Sequence, residues 1–404
     1  MAVGLKGLTY LNPVKGIRLA ASAAGVCYQN RDDVVLIECC EGSSCAGVFT
    51  KNAFCAAPVV IAREHMRAAS SRYLLINSGN ANAGTGQQGM QAAQACCLAV
   101  ADAADCLPSQ VLPYSTGVIG EPLPVDRITA VIPELVNQLD EDNWNQAATA
   151  IMTTDTIAKG VSAQVVVDGQ TVQITGIAKG SGMIRPDMAT MLAYIATDAG
   201  IEPVLLQQCL QQAVDHSFNR ITVDGDTSTN DACMLLASGQ SGTQLLADSD
   251  ELSVFQQALN QVAATLAQMI IRDGEGATKF ITIEVEQGNT TQECLDVAYT
   301  IAHSPLVKTA LFASDPNWGR ILAAVGRAGL ENLVLEDIQI YLGDTCIVEK
   351  GGRAASYTEA RGQEVMSQDE ITITVRLGRG EVSDCVWTTD FSYDYVKINA
   401  EYRS

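Results

Sequence analysis

Short runs of β-branched and apolar residues recur from one end of this chain to the other. They read VVLIE at 34–38, PVVIA at 58–62, YLLIN at 73–77, VSAQVVV at 161–167 and TVQITGIA at 171–178. FITIEVE at 280–286, EDIQIYLG at 336–343 and EITITVRLG at 370–378 follow. Several alternate apolar and polar residues, which predicts strands with one solvated face. Between them the spacing turns helical. From about Pro203 to His216, Leu205, Leu206, Cys209, Leu210 and Val214 share a face. From Ser249 or Asp250 to Ile271, Leu252, Phe255, Leu259, Val262, Ala263, Leu266 and Ile270 keep the three-to-four spacing. A third helix is expected over Gln292 to Leu311. Strands and helices do not alternate strictly, so the expected fold is α/β of the α+β type, mixed sheets with substantial antiparallel pairing layered with helices. No internal repeat or linker-like stretch interrupts the 404 residues, and the chain reads as one compact unit.

Charge narrows the partners. Lys and Arg number 25 against 46 Asp and Glu, a formal net charge of −21. Such a chain repels phosphate backbones and anionic lipid, so neither nucleic acid nor membrane is an expected partner. No apolar run approaches the roughly 18 residues that a spanning helix requires. The start, MAVGLKGLTYLNPVKGIRLAA, lacks the continuous apolar stretch of a signal peptide, and a soluble cytoplasmic protein is expected.

Thirteen cysteines lie scattered with no C-x-x-C pair, and the histidines are three: His65, His216 and His303. Neither pattern suits structural zinc or a secreted disulfide framework, so no metal is expected and the thiols read as reduced, mostly buried small hydrophobes. Scarce histidine also argues against a Ser-His-Asp or Cys-His catalyst.

Chemistry concentrates in GIAKGSGMIRPDMATMLAYIATD at 176–198. A strand ends near Ala178, and a turn Lys179-Gly180-Ser181-Gly182 follows. Glycines let backbone N–H groups face a cavity, and a neighbouring lysine can meet a carboxylate. A hairpin connection with a surface lysine has the same pattern. Thr190 is a poor nucleophile without an adjacent base. Cleavage of the Ala189–Thr190 bond would supply one, because the new α-amine has a reference pKa near 7.7–8.0. Thr190 as strand packing fits the spacing equally well.

Two other runs invite over-reading. DGDTSTND at 224–231 places Asp224, Asp226 and Ser228 at EF-hand spacing, but Thr229 stands where Gly is needed and Leu235 where Glu belongs. We read it as a structural turn that could stand near an active site, and not as a calcium loop. NSGNANAGTG at 77–86 lacks the dinucleotide-loop order, so Asn77, Asn80 and Asn82 read as turn formers or supports of a site.

KGSGMIRPDMATML resembles the self-cleavage segment of the ornithine acetyltransferase (ArgJ) family. The resemblance extends through GVFTKN (47–52), NSGNANAGTG (77–86), STGVIG (115–120), IMTTDT (151–156), DGDTSTND (224–231), DGEGATK (273–279), DPNWGRI (315–321) and NAEYRS (399–404). It implies an ArgJ/DmpA-like self-processing fold, cut into an alpha chain, 1–189, and a beta chain, 190–404, that form one fold and assemble as a heterotetramer of two of each. It further implies acetyl transfer from N-acetylornithine to glutamate through an acetyl-Thr190 intermediate. Thr190 then matches the nucleophile, and Thr116 with Gly117 the oxyanion-stabilising pair. Thr153, Lys179, Thr190, Glu275, Asn399 and Ser404 match the substrate contacts. Lys179 and the hydroxyls suit a carboxylate, Glu275 suits ornithine's ammonium, and Ser404 keeps the hydroxyl of the Thr at which the family often ends. No cofactor is implied, and acetyl-CoA is left open as a co-substrate. Alternatives are an N-terminal-nucleophile amidase or aminopeptidase that gives the acyl group to water, and a non-catalytic binding protein.

Overall fold

The computed structural model describes residues 2–167, 169–185 and 191–401. Where the sequence reads as one compact unit, the chain divides into two. The larger comprises Gly7–Asn219 and Asp226–Ile270, the smaller Met1–Lys6, Arg220–Gly225 and Ile271–Ser404. No linker composition marks the division, because the chain passes between units inside structured segments, one of them the helix α6 (Asp250–Arg272).

The described residues of the larger unit form two principal sheets. One has the order β1 (Ile17–Ser22), β2 (Val34–Cys39), β4 (Tyr73–Asn80), β5 (Val111–Val118). The other runs β3 (Ser44–Phe49), β11 (Ala232–Ala237), β8 (Leu192–Thr197), β7 (Gln170–Lys179), β6 (Lys159–Val167). A short parallel pair, β9 (Gly200–Ile201) with β12 (Gln244–Leu245), stands apart. In the two principal sheets, β4–β5 and β8–β11 pair in parallel and the remaining neighbours antiparallel. The mixed, substantially antiparallel α/β architecture expected from the sequence is what the chain adopts.

Side-chain alternation then builds layers. Leu19, Val35, Ile37, Leu74, Ile76, Leu112 and Tyr114 of the first sheet share one core with Ile177, Leu192, Tyr194, Met234 and Leu236 of the second. Tyr114 and Tyr194 meet edge to face at 5.4 Å. The opposite face of the first sheet, with Leu36, Leu75 and Val111, packs on α2 (Gly86–Ala104) and α3 (Val125–Asn137) through Cys96, Val100, Ile128 and Ile132. Gly176 of β7 turns outward, where a Cβ would lie 3.0 Å from Leu266 of α6. The layers are helix, sheet, sheet, helix. The outer layer also includes α5 (Pro203–Asp215), which packs on β3 and β11.

The smaller unit is one seven-stranded sheet among its described residues, in the order β10 (Ile221–Thr222), β18 (Val382–Thr389), β13 (Phe280–Gly288), β17 (Glu370–Arg376), β14 (Gln339–Leu342), β15 (Thr345–Glu349), β16 (Gly352–Arg353). Ile281, Ile283 and Val285 alternate inward beside Ile371, Ile373 and Val375. They meet Val297 and Ile301 of α7 (Thr291–Ala302), Val307 and Leu311 of α8 (Pro305–Phe312), and Ile321 of α9 (Trp318–Gly326).

Three expectations change. PVVIA is not a strand but the first turns of α1 (Ala57–Ala68): Pro58 occupies the initial turn, where a missing N–H costs nothing, and Val59, Ile61 and Ala62 are buried. The helix expected over Gln292–Leu311 is two, α7 and α8. Pro305 cannot continue the ladder, and the Ser304 side chain accepts from the Val307 N–H to start a new helix. Within EDIQIYLG only Gln339–Leu342 is strand, preceded by a 3₁₀ turn at Leu335–Asp337. All thirteen cysteines are free thiols, with Cys39, Cys96, Cys97, Cys209, Cys233 and Cys294 buried. No helix of the described residues is long and apolar enough to cross a membrane.

Candidate active site

Two of the expected residues stand at the end of β5. β4 and β5 run parallel from Tyr73 opposite Val111 to Gly79 opposite Gly117, and the register shifts at Asn80. Gly117 has φ +134°, and a Cβ there would lie 2.2 Å from the Gly79 carbonyl carbon, so only glycine lets the two backbones approach this closely. Asparagines brace the strand ends. Ser115 Oγ donates to Asn77 Oδ1 (2.6 Å), Asn77 Nδ2 to the Asn80 carbonyl (2.8 Å), and the Asn82 N–H to Asn80 Oδ1 (2.8 Å). Asn230 Nδ2 donates to the carbonyls of Ala81 (2.5 Å) and Ser115 (2.9 Å). These bonds satisfy buried polar backbone where the strands diverge, and they present Thr116 and Gly117 at a fixed place.

Lys179 reaches the same place from the other sheet. It is the last residue of β7, not part of the turn that follows, and it is only 8% exposed. Its Nζ donates to Thr116 Oγ1 at 3.1 Å. A solvated loop lysine is therefore not what the fold makes of it. Beneath lies Asp155, fully buried. It accepts from Lys159 Nζ at 2.6 Å, from the Gly180 N–H at 2.8 Å and from the Thr153 N–H at 2.9 Å. Burial opposes its charge, but the Lys159 and Lys179 ammoniums and these hydrogen bonds hold the carboxyl well below the usual carboxylate range. Thr154 Oγ1 and Ser181 Oγ, 2.6 Å apart, close the same corner. Thr153 does not cap the preceding helix: α4 (Trp144–Ala150) ends at Ala150, and the Thr153 amide is spent on Asp155.

In the smaller unit, Glu275 and Asn399 meet. Asn399 Nδ2, on α11 (Tyr393–Ala400), donates to Glu275 Oε2 at 2.8 Å. Glu275 is 7% exposed. Its turn hugs the start of α11: Ser392 Oγ donates to the Gly276 carbonyl at 2.6 Å, and a Cβ on Gly276 would sit 2.4 Å from the Tyr395 nitrogen.

Ala189, Thr190 and Ser404 lie outside the described residues. Among those described, Thr116, Gly117 and Lys179 come together, Thr153 joins them through Asp155, and Glu275 pairs with Asn399. Neither DGDTSTND nor any other group of His, Cys, Asp or Glu among the described residues is arranged to hold a metal ion. Sequence reasoning quoted IMTTDT and DGDTSTND without singling out Asp155 or Asn230 in them, and it passed over Lys308. Asp155 pairs with Lys159 outside any helix, so their four-residue spacing carried no signal, and Lys308 looked like any helix-surface lysine.

Fold and site together define a mixed α/β chain that buries a lysine beside a hydroxyl and a glycine-shaped backbone. A model of the ArgJ family matches residues 18–404, and the chain belongs to that family. It is 56% identical over 406 residues to the arginine biosynthesis bifunctional protein ArgJ of Pseudomonas fluorescens (strain Pf0-1), covering 100% of both chains. Against the protein of that name from Methylococcus capsulatus it is 57% identical over 395 residues, 98% of this chain and 97% of the relative. The crystal structure of arginine biosynthesis bifunctional protein ArgJ from Bacillus halodurans is similar at a TM-score of 0.50 and 40% identity, over 53% of this chain and 100% of that one.

Proposed function

We propose that this chain is a glutamate N-acetyltransferase of arginine biosynthesis, working in the cytoplasm, that cleaves itself between Ala189 and Thr190 and then moves acetyl from N-acetylornithine to glutamate. Relatives named for arginine biosynthesis match it along its whole length. The solved Bacillus halodurans chain corresponds in full to 53% of this one, the share that a 215-residue beta chain would have.

The observation that carries the reading is the buried Lys179–Thr116 hydrogen bond. In a chain of net charge −21, anionic substrates need a placed cation, and Lys179 is one. Thr116 Oγ1 and the Gly117 N–H supply two donors for the oxyanion of an acyl-transfer intermediate. In the first half-reaction, Thr190 Oγ attacks the acetyl carbonyl carbon while the Thr190 α-amine takes the hydroxyl proton. The C–N bond breaks, and ornithine leaves with that proton. In the second, the glutamate amine attacks the ester, its proton passes through the α-amine to Thr190 Oγ, and N-acetylglutamate departs. Neither half-reaction needs a bound cofactor. Glu275 and Asn399 are assigned to the ammonium of N-acetylornithine, and Thr153 and Ser404 to substrate contact. The relatives' shared description as bifunctional favours acetyl-CoA as a second acetyl donor. We assign the cut chains to a heterotetramer of two alpha and two beta.

Purified protein should run as two fragments on a denaturing gel, the beta chain beginning TMLAYIATDA, while Thr190→Ala stays whole. Incubated with N-acetylornithine and glutamate, the enzyme should form N-acetylglutamate and ornithine in equal amounts. Ornithine without N-acetylglutamate would make it a hydrolase instead.

A further inference from the structure

Lys308 is buried in the smaller unit, 1% exposed, on α8. Its Nζ donates to Thr388 Oγ1 at 2.8 Å and to the Thr389 carbonyl, and lies 4.6 Å from the centre of the Phe391 ring. The Phe391 N–H returns a bond to the Lys308 carbonyl at 3.2 Å. This end of β18 and the residues after it carry the Glu275 turn. Thr389 packs where a Cβ on Gly274 would lie, 2.9 Å away. Asp390 accepts from the amides of Thr278 (2.9 Å) and Lys279 (3.0 Å) and from Thr278 Oγ1 (2.5 Å). Ser392 holds the Gly276 carbonyl, Phe391 stacks on Tyr395 at 4.8 Å, and α11 then delivers Asn399 to Glu275.

From this stitching we infer that Lys308 is a positioning residue for amine recognition: by fixing Thr388, Thr389 and Phe391 it sets where Glu275 and Asn399 stand relative to each other. The inference deepens the role proposed for Glu275 and rests on it. Burying a lysine is costly unless its donors are all used. Here it is spent behind a carboxylate corner, where a methionine or leucine would pack at lower cost.

The same burial gives the corner a pH dependence. Burial pushes the Lys308 ammonium down to about 7, against the pull of Asp390 and Asp224. On the neighbouring segments, the Lys279 amide is bound to Asp390 and His303 Nε2 lies 3.1 Å from Thr222 Oγ1. Below that pH the ammonium bonds the Thr389 carbonyl with charge assistance and faces the Phe391 ring as a cation; above it both contacts weaken.

The test uses the full-length enzyme with Lys308→Met, which keeps the length and removes the donor, and Thr388→Val, which keeps the lysine and removes one acceptor. We expect Lys308→Met to raise KM for N-acetylornithine about tenfold, with kcat and KM for glutamate within about threefold of wild type. That tenfold change corresponds to ~1.4 kcal/mol, close to the lower end of what a hydrogen bond to a charged group contributes. Thr388→Val should move the same constant in the same direction by less. Wild-type KM for N-acetylornithine should rise as pH passes upward through about 7, and the Lys308→Met profile should be flat there. If both variants keep wild-type KM and pH profile, or if both substrates are affected equally, the positioning role is wrong. Should Lys308→Met not fold, Thr388→Val and the wild-type pH profile decide alone. Glu275→Gln run alongside separates the two ideas, because an unchanged KM there would mean that the Glu275 assignment had failed.

Discussion

Lys179 donates a hydrogen bond to Thr116 across 3.1 Å, joining residues 63 positions apart on two different sheets. A buried ammonium held against a hydroxyl is preorganised for an anion. Replacing it by the isosteric apolar side chain in Lys179→Met should raise KM for glutamate and N-acetylornithine by roughly 10- to 100-fold, the span of a hydrogen bond to a charged group. Steady-state kinetics with each substrate check this, and unchanged constants would remove Lys179 from substrate binding.

Thr116 and Gly117 should fail differently. Thr116→Ala takes away a hydroxyl and leaves the strand, so kcat should fall by about 10²–10³ with little change in melting temperature. Gly117→Ala puts a Cβ 2.2 Å from the Gly79 backbone at a φ of +134°, and should cost on the order of 3 kcal/mol of stability. Calorimetry alongside kinetics separates the two outcomes.

Acid titration should expose the Asp155–Lys159 pair. The Asp155 carboxyl is depressed in the folded state, so its contribution to stability is fully present above about pH 4 and is lost only as pH falls through a folded value lower still. Asp155→Asn leaves Lys159 buried without its counter-charge and should destabilise by about 3–5 kcal/mol at neutral pH. Urea unfolding at pH 7 and pH 3 measures both. A variant as stable as wild type at pH 7 would contradict the pairing.

The fold was legible wherever local pattern and tertiary environment agreed. Alternation in FITIEVE and EITITVRLG became paired strands, and the 3.6-residue spacing after Asp250 became α6. PVVIA misled because a buried helix turn and a buried strand look alike over five residues, and the residues after it decide. Gln292–Leu311 misled because the periodicity survives the break at Pro305, each new helix burying the same kind of face. The site divides similarly. Spacing within 176–198 flagged Lys179 but could not say that it would be buried, since that depends on Thr116 arriving from another sheet. Lys308 left no local trace and Asn230 none beyond its place in DGDTSTND, because what they do is bridge segments distant in sequence.

The five-stranded sheet has a kinetic consequence. A cut before Thr190 would fall between β7 and β8, which pair antiparallel from Ile174 opposite Thr197 to Lys179 opposite Leu192. Strands β3, β6 and β7 would then belong to one fragment and β8 and β11 to the other, interleaved in a single sheet. The core beneath that sheet would draw on both fragments, Ile177 from one and Leu192, Tyr194, Met234 and Leu236 from the other. Folding before such a cut would be a unimolecular event; after it, any molecule that unfolds fully would have to find a second chain to return. Refolding of the processed protein should therefore speed up with concentration, whereas uncut Thr190→Ala should refold at a concentration-independent rate. Self-cleavage in such a sheet acts as a ratchet, easy to pass while the chain is whole and slow to reverse once it is two.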